Sequence, residues 1–113
     1  MKVLLRADAS VTIGSGHIMR CLTLAKALEQ QGAHCDFICR PSQGSLIPWL
    51  RSQGINVITL PESIKNELED AQLSLASITE HYQLLVLDHY QLGQAYCQAL
   101  RSCCDTVLVI DDL

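Results

Sequence analysis

Short continuous apolar runs alternate along this chain with stretches whose apolar residues recur every three or four positions. The runs Val3–Asp8, Cys35–Arg40, Asn56–Leu60, Leu84–Asp88 and Thr106–Ile110 read as strands. The periodic stretches between them read as helices over about Gly16–Gln31, Ser45–Gln53, about Ile64–His81 and Leu92–Ser102. The first helix has the clearest pattern. Ile18, Cys21, Leu22, Ala25 and Leu28 share one face, and Gly32 is a natural stop. Gly54 closes the second helix and Pro61 ends the third strand. Pro48 suits a first helical turn, and Trp49 beside it suits packing.

Strands that are short, unbroken and rich in β-branched residues belong to parallel sheets covered on both faces. The alternation βαβαβαβαβ therefore predicts an α/β fold with a doubly wound, Rossmann-like sheet of five parallel strands. Right-handed crossovers give it the order 3-2-1-4-5. The 113 residues suffice for one domain, residues 1–113. Thr106–Ile110 falls on the edge of that sheet with apolar residues on both faces, an association hazard. The expectation is that further protein covers it and that the chain is a piece of something longer.

Composition narrows the function. An apolar share of 49% excludes a disordered chain. A net charge of −4 without a Lys/Arg cluster makes nucleic acid and anionic membrane surfaces poor partners. No apolar run is long enough to span a bilayer, and the chain opens directly on a strand, which points to the cytoplasm. The six cysteines fit that compartment. Cys35 and Cys39 lie in a strand, Cys21 on an apolar helix face, and Cys97, Cys103 and Cys104 in or after the last helix. They are expected to pack as free thiols, and no Cys-x-x-Cys suggests zinc.

In a 3-2-1-4-5 sheet, ligands bind beyond the C-terminal ends of strands 1 and 4, where the chain switches direction. The loops there are Ala9–His17 and Asp88-His89-Tyr90, the stretches richest in reactive side chains. Gly14-x-Gly16 follows the first strand and opens a helix. It lacks the third glycine of the dinucleotide fingerprint, because position 19 is Met, and it lacks the Gly-Lys-Ser/Thr of a phosphate loop. It serves either as a tight turn or as a place where a ligand approaches the backbone. His17 sits at the positive end of the helix dipole, which favours the neutral ring that a general base needs. The alternative is a surface histidine capping a turn. Asp8 is placed to hold the other ring nitrogen, to pair with Arg6, or to cap the loop. Asp88 ends a strand and suits either catalysis or loop hydrogen bonding. Tyr90 offers a ring face and a hydroxyl to a sugar or acetamido group. Arg20, one turn after His17, faces either the same site or solvent. His34 and His81 read as solvated, and Asp111 and Asp112 as turn residues or substrate contacts. No constellation for a metal is found, and no cofactor is expected.

Taken together, Arg6-x-Asp8, Ile13-Gly14-x-Gly16-His17, Met19-Arg20-Cys21-Leu22, Asp88-His89-Tyr90 and Val109-Ile110-Asp111-Asp112 resemble one family closely. It is that of the UDP-2,4-diacetamido-2,4,6-trideoxy-β-L-altropyranose hydrolases of pseudaminic acid biosynthesis. The resemblance implies the N-terminal half of a glycosyltransferase-B-like fold, with UDP held mainly by a C-terminal domain absent from this chain. It implies a UDP-sugar substrate and metal-independent hydrolysis at the anomeric carbon, with His17 as general base. Gly14 and Gly16 would line the sugar and phosphate, and Tyr90 would contact the sugar. Arg6, Asp8, Arg20 and Asp88 are grouped with the substrate-binding set. Two other classes compete: a glycosyltransferase that moves the sugar to an acceptor, and a non-catalytic α/β binding module.

Overall fold

The computed structural model describes residues 1–10, 14–42 and 44–110. Ile13, Asp111 and Asp112, which the sequence analysis singled out, lie outside them. The elements run β1 (Lys2–Ala7), α1 (Gly16–Gln30), β2 (His34–Cys39), α2 (Ile47–Ser52), β3 (Asn56–Thr59), α3 (Glu67–Ser77), β4 (Tyr82–Asp88), α4 (Gln94–Leu100) and β5 (Cys104–Val109). The five strands form one parallel sheet in the order β3-β2-β1-β4-β5, as the alternation predicted.

Strand side chains alternate between the two faces of a sheet, and two cores follow from that. Val3, Leu5 and Ala7 of β1, Phe37 of β2 and Val86 of β4 pack with Ile18, Cys21 and Ala25 of α1 and with Leu50 of α2. Leu4, Ile38, Leu85 and Leu87 pack on the other face with Ala71 of α3 and with Tyr96 and Leu100 of α4. Trp49 packs partly buried against the first core, as expected. The same alternation assigns the charged residues at the C-terminal ends of the strands. Arg6 shares the parity of Leu4, and Asp8 continues it, so both fall on the α3/α4 face. Asp88 shares the parity of Val86 and falls on the α1 face.

Three helices are shorter than the periodicity predicts. α3 begins at Glu67 and not at Ile64, because the Asn66 side chain accepts a hydrogen bond from the Glu69 N–H at 2.9 Å and caps it there. It ends at Ser77, where Ile78 turns extended. α4 starts at Gln94 because the Glu67 carboxylate accepts from the N–H groups of Gly93 (2.6 Å) and Tyr96 (3.1 Å). In α2 the Ser45 hydroxyl accepts from the Ile47 N–H at 3.2 Å, and Pro48 sits in the first turn. Conversely, β4 begins two residues early, at Tyr82. That ring is buried, and its hydroxyl donates to Asp36 at 2.7 Å. β5 is one of the two edge strands, with Leu108 and Val109 exposed.

No helix among the described residues is long and apolar enough to cross a membrane. All six cysteines are free, and five of them are buried. Burial pushes the thiols of Cys21, Cys39 and Cys104 up to about 12.

Candidate functional site

The glycine loop closes on itself. The Gly14 N–H donates to the Ser10 carbonyl at 2.8 Å. Gly14 has φ +82°, a left-handed conformation that a side chain resists, so glycine is required there. Gly16 has no such constraint, and a Cβ built on it meets nothing within 4 Å. Gly14, Ser15 and Gly16 are exposed, and α1 then carries His17 inward.

His17 is buried, and its Nδ1 lies in hydrogen-bond contact with Asp88 Oδ1. Arg20, three residues further along α1, grips the same carboxylate with two bonds. Nε donates to Oδ2 and Nη2 donates to Oδ1, each at 2.7 Å. The Cys21 thiol lies 3.9 Å from Oδ2. Burial works to raise the Asp88 pKa, but the Arg20 bonds and His17 outweigh it and hold the carboxyl below its ordinary value. Tyr90 stands edge-on to the His17 ring, with centroids 4.4 Å apart and planes at 83°. A cavity of about 200 Å³ opens here, beyond the ends of β4 and β5 and beside the first turn of α1. His17, Arg20, Asp88, His89 and Tyr90 line it, with an apolar wall of Leu92, Val109 and Ile110.

Asp8 does not hold His17. Parity sends it to the opposite face of the sheet, where it accepts from Arg6 Nη1 at 2.9 Å and from the Arg40 N–H at 2.7 Å. The pairing with Arg6, one of the alternatives read from the sequence, is the one that forms. His89 Nε2 lies 2.7 Å from the other oxygen of Asp8. Arg6 is fully buried and reaches Asp70 of α3 through Nε (3.2 Å) and Nη2 (2.7 Å). Arg40 Nε adds a further bond to Asp70 at 2.7 Å. Burial works to raise both carboxyls, Asp8 and Asp70. Their cationic partners and the His89 contact outweigh it and hold both below the ordinary carboxylate range.

The structure thus brings His17, Arg20, Asp88 and Tyr90 to one cavity. Arg6 and Asp8 lie beneath it without solvent exposure of note, and Gly14 and Gly16 are not in its lining. The sequence picks out His89 only as part of the Asp88-His89-Tyr90 loop, without a role of its own, and gives no role to Arg40 or Asp70. One signal was available: a strand arginine flanked by apolar residues demands a buried counter-charge. His34 and His81 are exposed, pairing with Asp36 at 3.0 Å and Asp105 at 2.6 Å. Among the described residues no group of three or more His, Cys, Asp or Glu is arranged to hold a metal ion.

The fold and the position of the cavity define a doubly wound α/β domain with a cavity at the C-terminal end of its parallel sheet. No family model matches the chain. It is 36% identical over 95 residues to the UDP-2,4-diacetamido-2,4,6-trideoxy-beta-L-altropyranose hydrolase of Campylobacter jejuni subsp. jejuni serotype O:2. The match covers 82% of this chain and 30% of that relative, so the chain spans less than a third of the relative's length.

Proposed function

We propose that this chain is the N-terminal domain of a nucleotide-sugar hydrolase, a Rossmann-like half of a glycosyltransferase-B-like protein. Its substrate is a UDP-linked 2,4-diacetamido-2,4,6-trideoxy sugar of the kind named for the relative, in the chemistry of pseudaminic acid biosynthesis. A second, UDP-binding domain supplies the other wall of the cleft. The protein works in the cytoplasm and needs no metal or cofactor.

One observation carries the reading. Two histidines line the cavity, and they are not equivalent. His89 uses both nitrogens: Nε2 toward Asp8, and Nδ1 accepting from the Gln91 N–H at 3.1 Å. His17 uses only Nδ1, and among the described residues nothing bonds to its Nε2. A ring so held offers one basic nitrogen to a ligand in the cavity.

His17 Nε2 takes a proton from water as the water oxygen attacks the anomeric carbon. The new C–O bond forms as the bond to the UDP oxygen breaks, with inversion. UDP leaves as an anion, and the dipole of α1 places positive charge beside the developing negative charge. Tyr90, exposed at the mouth, contacts the sugar. Gly14 and Gly16 let the substrate approach the backbone. Arg6 and Asp8 act from beneath, fixing His89 and the strand ends.

UDP release by the intact protein from the UDP-linked diacetamido sugar, beside His17→Ala, tests this. The expected result is free sugar plus UDP from the wild type. The variant is expected to fall at least about 100-fold in kcat with substrate binding retained. Near-wild-type turnover by His17→Ala contradicts the mechanism. A glycoside product indicates a transferase, and no turnover at all returns the binding module to the front.

A further inference from the structure

Asp88 ends β4 beside the central strand β1, fully buried, and among the described residues all its side-chain partners come from α1. We propose that Asp88, clamped by Arg20, is a positioning residue that fixes the tautomer and orientation of His17 and does not itself bind substrate. The inference rests on the hydrolase reading for the identity of the reaction, but its geometry does not depend on the substrate.

The acceptor capacity of Asp88 is fully used. An ionised carboxylate only accepts, and has about four lone-pair sites. On Asp88, Oδ1 serves His17 Nδ1 and Arg20 Nη2, while Oδ2 serves Arg20 Nε and, at 3.9 Å, the Cys21 thiol. No site is left for a sugar hydroxyl or an acetamido N–H. Because the carboxylate only accepts, His17 Nδ1 must donate, and the lone pair of the neutral ring is then on Nε2. The Arg20 fork meets both oxygens in parallel, the geometry that sets the plane of a carboxylate. His17 and Arg20 are three residues apart on α1 and so share a helix face. One turn of helix therefore delivers both the base and the clamp to the same carboxylate.

His89 provides an internal contrast on the same cavity wall. There the Gln91 N–H donates to Nδ1, so the ring proton is on Nε2 and points at Asp8. The two rings are held in opposite tautomers by different partners. Asp88 is what makes His17 the one with an open nitrogen.

The test joins ring spectroscopy to kinetics on the intact protein. In spectra of 15N-labelled histidine rings, wild-type His17 is expected as a single Nδ1–H form. In Asp88→Asn, whose side chain can donate as well as accept, that form is expected to be lost. Its kcat for UDP release should fall more than about tenfold, with KM changed less than about threefold. Arg20→Lys should lie between wild type and Asp88→Asn. If Asp88→Asn does not fold, Arg20→Gln, on a part-exposed side chain, carries the test with the same split. A fall in kcat of less than about tenfold, a rise in KM that accounts for the loss, or an unchanged His17 spectrum overturns the proposal. If the wild type releases no UDP while the His17 spectrum still depends on Asp88, the positioning role stands and the hydrolase reading falls.

Discussion

Arg6 stands inside β1 with no solvent exposure, and its charge is tolerated because Asp8 and Asp70 both reach it. Removing one partner of such a group leaves an uncompensated buried charge. Asp70→Asn is accordingly expected to cost about 3–5 kcal/mol at neutral pH, read from urea denaturation. The cost should depend on acidity in a defined direction. Asp70 has its pKa lowered in the folded protein, so its contribution is complete above the unfolded value of about 4 and is lost as pH falls through the folded value. The gap between wild type and Asp70→Asn therefore narrows below about pH 4 and is constant between about pH 5 and 7. A gap that stays constant down to about pH 2 contradicts the ion-pair account. Only half of this network was legible in the sequence. Asp8, two residues from Arg6, is a visible partner. Asp70 lies 64 residues away in the third predicted helix, and becomes a partner only once α3 is laid on the sheet.

At the scale of elements, period and punctuation gave the number, type and order of strands and helices, because strands covered on both faces have an unmistakable apolar continuity. Boundaries were less legible, for a physical reason. α3 starts where the Asn66 side chain caps it, and α4 starts where a carboxylate from another helix, Glu67, caps it. The second of these is a tertiary contact with no local signature. The turn into α1 offers a sharper test, since its two glycines are there for different reasons. Gly14→Ala forces a side chain onto φ +82° and is expected to lower stability by about 1–2 kcal/mol. Gly16→Ala meets open space and gains helix propensity, so its melting temperature should hold or rise. If substrate approaches the backbone there, UDP release by Gly16→Ala falls while its stability does not. Equal activity in Gly16→Ala and wild type removes Gly16 from the site.

Across the whole molecule, strand parity separates two charged assemblies. The Arg6–Asp8–Asp70–Arg40 network lies on the α3/α4 face, and His17–Asp88–Arg20 lies on the α1 face. The first ties β1, the end of β2, α3 and the β4–α4 loop together beneath the cavity. The second presents the His17 ring to the cavity. That Asp8 belongs to the first assembly and Asp88 to the second follows from alternation along β1 and β4, and was open to reading from the sequence once strand order was fixed. The central claim is that this cavity directs water to the anomeric carbon. The measurement that tests it most directly is turnover of the UDP-linked diacetamido sugar by the intact protein in 18O-enriched water, followed by the mass of the released UDP. Attack at carbon leaves the oxygen between sugar and phosphorus on UDP, so unlabelled UDP is the predicted result. UDP carrying 18O in its terminal phosphate would mean attack at phosphorus, and would contradict the account.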